Sequence, residues 1–162
     1  EWDNILNLII IESPAKARTI KNFLGKGYDV IASKGHIRDL PKSRLGITID
    51  EKTHHLVPKY SIAKEHAPTV KEIKTKASKA KTIYIATDED REGEAIGWHI
   101  AHAIKKDPSE LPRIVFHEIT KTAIKHALES ARTIDMNMVN AQQARRLLDR
   151  VVGYKLSPLL SS

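Results

Sequence analysis

The sequence predicts an α/β fold, a Rossmann-like, mostly parallel sheet between helices, followed by a short all-helical segment. Two observations carry the first part: strand-like apolar runs alternate with helical periods up to residue 117, and the run at residues 5–11 is apolar almost without interruption. Such a run marks a strand covered on both faces, and alternation of this kind gives βαβ units. The third observation is that from Thr120 onward only helical periodicity remains.

Taken in order, residues 5–11 form the first strand and run into Glu12-Ser13-Pro14. Ser13 is placed to cap a helix with Pro14 at its first position, and Ile20, Phe23 and Leu24 give that helix an apolar face before Gly25 and Gly27 close it. Residues 28–33 read as a second strand. Residues 34–41 form a loop marked by Gly35 and Pro41, in which Lys34, His36 and Arg38 offer donors to a phosphate; a solvated basic turn is the alternative. Residues 42–60 read as a polar insertion of loop and short strand, with His54 and His55 at its surface. Val70, Ile73 and Ala77 then mark a Lys-rich surface helix over residues 65–81. A buried strand is expected at 82–86 and a helix over 94–106, with Ile96, Ile100, Ala103 and Ile104 on one face. After a loop at 107–112, residues 113–117 supply another short strand, and right-handed crossovers are expected throughout.

In the helical segment, Thr120 caps a helix whose face is Ile124, Ala127 and Leu128. A second helix spans 137–152 with Val139, Ala144, Leu147, Leu148 and Val151 on its apolar side, and Gly153 ends it. Arg145, Arg146, Asp149 and Arg150 cluster on this helix, where a salt-bridged exposed face is the plain reading. The expected division is residues 1–118 for the α/β unit and 119–162 for the start of a helical domain. Leu159 and Leu160 near the terminus read as a chain cut short, because an apolar pair needs something to pack on.

Composition narrows the partners. The formal net charge of +7 over 162 residues points to a polyanion, although a merely basic surface satisfies the same number. Aromatic residues make up 5% of the chain, too few for base stacking to be the main mode of binding. With no cysteine there is neither a disulfide nor a thiolate metal site, which fits a cytoplasmic protein. No run of ~18 apolar residues predicts a membrane span, and the start of the chain has no signal-peptide plan, so a soluble protein is expected.

The chemistry concentrates after the strand at 82–86, where carboxylates fall at Asp88, Asp90 and Glu92 and Gly93 allows a turn. In extended chain, residues two apart point the same way, so the three acids are expected to leave the strand end on one side. Open α/β sheets place ligands at that edge. Carboxylates so close repel one another unless a cation neutralises them, and hard oxygens without cysteine favour Mg²⁺ or Ca²⁺. The string mimics an EF-hand loop, but His99 stands where that loop needs a bidentate Glu, and a strand enters it. A solvated acidic loop capping the next helix is the alternative on pattern alone. Glu12 occupies the corresponding place after the first strand, so the two strand ends can converge on one site.

These residues together resemble the type IA DNA topoisomerases, specifically the N-terminal part of the bacterial enzymes. The strings are Ile11-Glu-Ser-Pro-Ala-Lys16, Gly35-His-Ile-Arg-Asp-Leu-Pro41, Ala86-Thr-Asp-Glu-Asp-Arg-Glu-Gly-Glu94, Phe116-His-Glu-Ile-Thr120, and Asn140-Ala-Gln-Gln-Ala-Arg-Arg-Leu-Leu-Asp-Arg-Val-Val-Gly-Tyr154, continuing to Ser157-Pro158. They stand in family order across nearly the whole chain. The acidic string alone is less specific, since primases, type II topoisomerases and some nucleases of the Toprim fold share it.

The resemblance implies a Toprim domain followed by the opening of a helical domain whose groove guides single-stranded DNA. It implies Glu12 as proton donor and acceptor, Glu12, Asp88, Asp90 and Glu92 as the residues of the Mg²⁺ site, Lys16 near the scissile phosphate, and Arg91 as a further catalytic residue. His36, Arg38, Arg145 and Asp149 are implied at the site or along the DNA. The implied reaction is ATP-independent relaxation of negatively supercoiled DNA, in which a tyrosine attacks phosphorus to leave a 5′-phosphotyrosine and a free 3′-hydroxyl, then reverses. No nucleotide-hydrolysis motif is present, in keeping with strand transfer that conserves the bond energy. The family's tyrosine lies downstream of every string above, and Tyr28, Tyr60, Tyr84 and Tyr154 do not match it. The chain is therefore expected to bind metal and DNA without relaxing supercoils alone. Two competing readings are a free-standing Toprim nuclease, using metal-activated water, and a nucleic-acid-binding module that has kept the acids without chemistry.

Overall fold

Asn7–Ile11 (β1) is the middle strand of a three-stranded parallel sheet, flanked by Tyr28–Ala32 (β2) and Thr82–Ile85 (β5) in the order β2-β1-β5. The computed structural model describes residues 7–41 and 45–161, with side chains as far as Gly153. The expected strand start at Ile5 and Leu6, the insertion residues 42–44, and the side chains of Tyr154, Leu159 and Leu160 lie outside the described residues. Leu8, Ile9 and Ile10 are each 0% exposed, as a strand apolar on both faces requires.

Alternation along β1 builds three layers. Leu8 and Ile10 pack with Val70 and Ile73 of Ala67–Lys79 (α2) and with Ile96 and Ile100 of Arg91–Ala103 (α3). Ile9 and Ile11 pack on the other face with Ala17 and Ile20 of Pro14–Phe23 (α1) and with Ile124 and Ala127 of Lys121–Glu129 (α4). Burying one such side chain stabilises the fold by roughly 1.5–3 kcal/mol, so the faces of β1 hold both helical layers to the sheet. The mostly parallel sheet between helices expected from the sequence is the fold observed.

The caps follow the sequence signals. The Ser13 hydroxyl accepts from the Lys16 N–H at 3.3 Å with Pro14 next in line, and the Thr120 hydroxyl accepts from the Ala123 N–H at 3.1 Å. The insertion differs in holding two short strands, Ile47–Ile49 (β3) and Leu56–Pro58 (β4), paired antiparallel. A single-turn 3₁₀ segment, Lys64–His66, leads into α2, whose buried face is Val70, Ile73 and Ala77 as expected.

Three expectations need correction. The strand expected at residues 113–117 is reduced to isolated bridges at Arg113, parallel to Ile85 and antiparallel to Arg132. Its chain leaves the sheet because the Arg113 side chain turns inward to bind backbone carbonyls, described below. The helix expected from residue 94 begins at Arg91, because the Asp90 carboxylate caps it by accepting from the Gly93 N–H at 2.6 Å. The last helix, Met136–Ser161 (α5), runs through Gly153. One glycine costs about 1 kcal/mol relative to alanine, too little to end a long helix. Its apolar side is also narrower than expected: Val139 is buried, while Leu148 is 60% exposed. Among the described residues no helix is long and apolar enough to cross a membrane.

Candidate functional site

The carboxyl ends of β1 and β5 meet, since the two strands are parallel neighbours with Ile10 opposite Ile85. Glu12, just past β1, uses its Oε1 to accept the Asp88 N–H at 2.8 Å. The Lys16 ammonium stands 3.7 Å from the Asp88 carboxylate, with both groups about half exposed (48% and 59%). An ion pair so open to water contributes little stability and is easily exchanged for another cation. Asp88 and Asp90 line one cavity with Lys16, Thr87, Phe116 and His117, so two carboxylates and an ammonium share a wall.

Glu92 looks elsewhere. The extended-chain argument for three acids on one side fails at this residue, because it already belongs to the first turn of α3. Its carboxylate sits 3.0 Å from His36 Nε2 and accepts from Gln142 Nε2 of α5 at 3.3 Å. Arg91, Glu92, Gln142, Arg145 and Asp149 line a second cavity between α3 and α5. Arg145 and Asp149 pair along α5 at 3.4 Å, both well exposed. His36, Arg145 and Asp149 therefore gather around Glu92, whereas Glu12, Lys16, Asp88 and Asp90 gather at the strand ends. Among the described residues no three His, Cys, Asp or Glu side chains stand together as a ligand set. The donors at the strand ends are nonetheless hard carboxylate oxygens beside an exchangeable ammonium, a chemistry that fits Mg²⁺.

Arg38 is packed inside the fold. Its guanidinium lies 5.0 Å from the Tyr60 ring centre and 5.3 Å from that of Trp98, and its Nη1 is 3.2 Å from His99 Nδ1. The Tyr60 hydroxyl donates to Gln143 Oε1 at 3.2 Å, tying this cage to α5. Arg146 adds a further tie to Asp39 at 3.2 Å, and Arg150 donates to the carbonyls of Pro41 and Leu45. The arginines of α5 thus split into an exposed pair, Arg145 with Asp149, and two struts that fasten the loop at residues 36–41.

Burial, with Arg38 and His36 nearby, lowers the His99 pKa from 6.5 to about 3. A histidine whose folded pKa is depressed binds fewer protons folded than unfolded. Its contribution is whole above pH 6.5 and declines as pH falls towards about 3. Between pH ~6.5 and ~5 the expected loss is about 1.5 kcal/mol, before the buried-side carboxylates begin to titrate. Urea unfolding at the two pH values checks this: His99→Gln should flatten most of the slope, leaving only what His102, lowered in the same direction by burial, contributes.

Sequence reading missed the residues that hold the acidic loop in place. Arg113 and Glu94 are both 0% exposed and meet at 2.6 Å. The Arg113 Nη1 donates to the Thr87 carbonyl at 2.6 Å and to that of Ile114 at 3.0 Å, and Nη2 donates to the Asp88 carbonyl at 2.6 Å. Glu94 also accepts from Arg132 at 3.1 Å and from the Asp135 N–H at 2.9 Å. Burial works against the Glu94 carboxylate, but the hydrogen bonds from Arg132, Arg113 and the Asp135 N–H outweigh it and hold its pKa below the ordinary value. The available signal was a charge inside an apolar string, Leu111-Pro-Arg-Ile-Val-Phe116, which needs a partner if the string is buried.

Comparison with known proteins places this geometry. Residues 7–119 match the family model described as the Toprim domain. The chain is 67% identical over 154 residues to DNA topoisomerase 1 of Campylobacter jejuni, an alignment that covers 95% of this chain and 22% of the relative. It is 61% identical over 156 residues to DNA topoisomerase 1 of Helicobacter pylori, covering 96% of this chain and 21% of that protein. Among solved structures, full-length topoisomerase I from Thermotoga maritima aligns with a TM-score of 0.84 at 48% identity, over 94% of this chain and 26% of that one. The chain thus spans about a fifth of the length of the curated relatives it matches.

Proposed function

We propose that this chain, which belongs to the Toprim domain family, supplies the metal-binding and proton-transferring half of a bacterial type IA DNA topoisomerase active site. The observation that carries this reading is the convergence of two strand ends, with Glu12 accepting the Asp88 N–H at 2.8 Å beside Asp90 and Lys16. In the proposed reaction a tyrosine from another segment attacks phosphorus and gives up its phenolic proton to water, the tyrosyl P–O bond forms as the P–O3′ bond breaks, and the leaving 3′-oxygen takes a proton from Glu12. Glu12 Oε1 is engaged by the Asp88 N–H, so the second oxygen is the one that carries the proton. Rejoining runs the same steps backwards, with Glu12 accepting the proton from the 3′-hydroxyl.

Asp88 and Asp90, with Glu12 beside them and Glu92 recruited from the neighbouring face, would hold Mg²⁺, which when bound offsets charge on the phosphates. Lys16 supplies fixed positive charge at the same cavity, and Arg91, at the start of α3, supplies it at the neighbouring cavity beside Glu92. The exposed face around His36, Arg145 and Asp149 is the proposed path of single-stranded DNA, and Arg38 shapes that path from within its cage. The helices from residue 119 onward are proposed as the opening of the DNA-groove domain. A cytoplasmic, nucleoid-associated location follows from a DNA substrate. None of the chain's four tyrosines matches the family's nucleophile, so the chain alone is expected to leave DNA intact.

The metal assignment is checked by calorimetric titration of the chain with Mg²⁺. Asp88→Asn and Asp90→Asn should each weaken binding by roughly ten- to a hundredfold while melting temperature changes little, because the Asp88 side chain is exposed and asparagine at residue 90 keeps an oxygen that can cap α3. Equal Mg²⁺ affinity in wild type and both variants would contradict the assignment.

A further inference from the structure

We propose that Arg113 is a positioning residue for the acidic site: it fixes the Asp88 backbone, and through it the Asp88 carboxylate and the contact with Glu12, without touching substrate. The proposal rests on the reading that Asp88 and Asp90 hold a divalent cation. Complete burial of Arg113 at 0% exposure keeps it from DNA and from solvent ions, so whatever it does is done through its neighbours.

Those neighbours are carbonyls that the sheet leaves unpaired. Beside β5 the pairing stops at Ile85, whose N–H donates to the Pro112 carbonyl and whose carbonyl accepts the Ile114 N–H at 2.9 Å. The chain then turns away, and the carbonyls of Thr87 and Asp88 find no strand. A buried carbonyl without a donor is costly, and the Arg113 guanidinium takes the place of the missing strand for Thr87 by donating to its carbonyl at 2.6 Å; the Asp88 carbonyl, which accepts the Asp90 N–H at 3.0 Å, gains a second donor from Arg113 at 2.6 Å. Its Nε donates to Glu94 Oε2 at 2.7 Å, which anchors the fork to α3, the helix that Asp90 caps. One planar group thus ties the loop after β5 to the first turn of α3. Lysine has three donors on one atom and cannot span these acceptors.

Stability alone gives little reason for such a pair, since a buried ion pair is often matched or surpassed by an apolar pair of similar volume. What an apolar pair cannot do is set the direction of the Thr87 and Asp88 carbonyls, and with them the Asp88 N–H that Glu12 accepts. Arg132 supports the arrangement from its more exposed position, bonding both oxygens of Glu94.

The test compares Arg113→Met and Arg113→Lys with an Ile73→Val control, a core change where α2 packs on the sheet, with no hydrogen bond to the acidic loop, chosen to lower the melting temperature. Two quantities are read: Mg²⁺ affinity by calorimetry, and amide exchange at Asp88 in metal-free protein. Arg113→Met is expected to weaken Mg²⁺ binding by roughly ten- to a hundredfold and to speed exchange at Asp88 beyond the control, with Arg113→Lys in between. Wild-type exchange and affinity in both Arg113 variants would overturn the proposal. Should Arg113→Met fail to fold, Arg132→Met, which keeps Arg113 and most of the fork, gives the same reading with a smaller shift. If wild type itself binds no Mg²⁺, the metal assignment fails, while exchange at Asp88 still decides for or against the role of Arg113.

Discussion

Gly93→Ala is expected to cost the fold at least ~3 kcal/mol and to remove Mg²⁺ binding with it. A Cβ at this position would stand 1.8 Å from the Asp88 carbonyl oxygen, 2.6 Å from its carbon and 2.9 Å from its nitrogen. All three are backbone atoms, so no side chain can rotate away. Nor can the Asp88 segment retreat, because Arg113 holds its carbonyl from inside and Glu12 holds its N–H. Relief would require the acidic loop to leave α3, breaking the bond of the Thr87 hydroxyl to the Gly93 carbonyl at 2.6 Å as well. Urea unfolding and Mg²⁺ titration of the variant measure both effects. A variant within about 1 kcal/mol of wild type and with unchanged Mg²⁺ affinity would show that the loop is not clamped as described.

Glu12→Gln is expected to lower DNA cleavage by roughly 10²–10⁴-fold, the usual worth of a positioned general acid. The measurement needs a tyrosine-bearing segment of the family added to the chain, and single-turnover cleavage of labelled single-stranded DNA as its readout. Glutamine keeps an oxygen that can accept the Asp88 N–H, so the strand-end geometry and the melting temperature should barely change. Loss of rate without loss of stability separates proton transfer from scaffolding. Cleavage within about threefold of wild type would remove Glu12 from the chemistry.

Periodicity makes most of this fold legible. The uninterrupted apolar string of β1, the cap at Ser13 and the spacing of Val70, Ile73 and Ala77 each report a burial pattern that one element decides by itself. The same holds for the meeting of Glu12 with Asp88, which follows once two parallel strands end in acids. What the sequence hides depends on contacts between distant segments. The direction of Glu92 depends on Asp90 capping α3 and on Gln142, 50 residues away. The strand expected at residues 113–117 dissolves because one arginine finds Glu94 and the carbonyls beyond β5. Arg38 likewise reads as a surface cation from its glycine-containing loop, and only the arrival of Tyr60, Trp98 and His99 turns it into a half-buried strut.

The central claim, half of a strand-transferring active site, is tested most directly on end-labelled single-stranded DNA. The purified chain is incubated with it, with and without Mg²⁺, alone and together with a segment carrying the family's tyrosine, and the products are run on a denaturing gel. The account predicts intact DNA with the chain alone, and cleavage with covalent attachment of protein only when the tyrosine segment is present. Free-ended products made by the chain alone, dependent on Mg²⁺ and lost in Glu12→Gln, would contradict it and identify a hydrolytic nuclease.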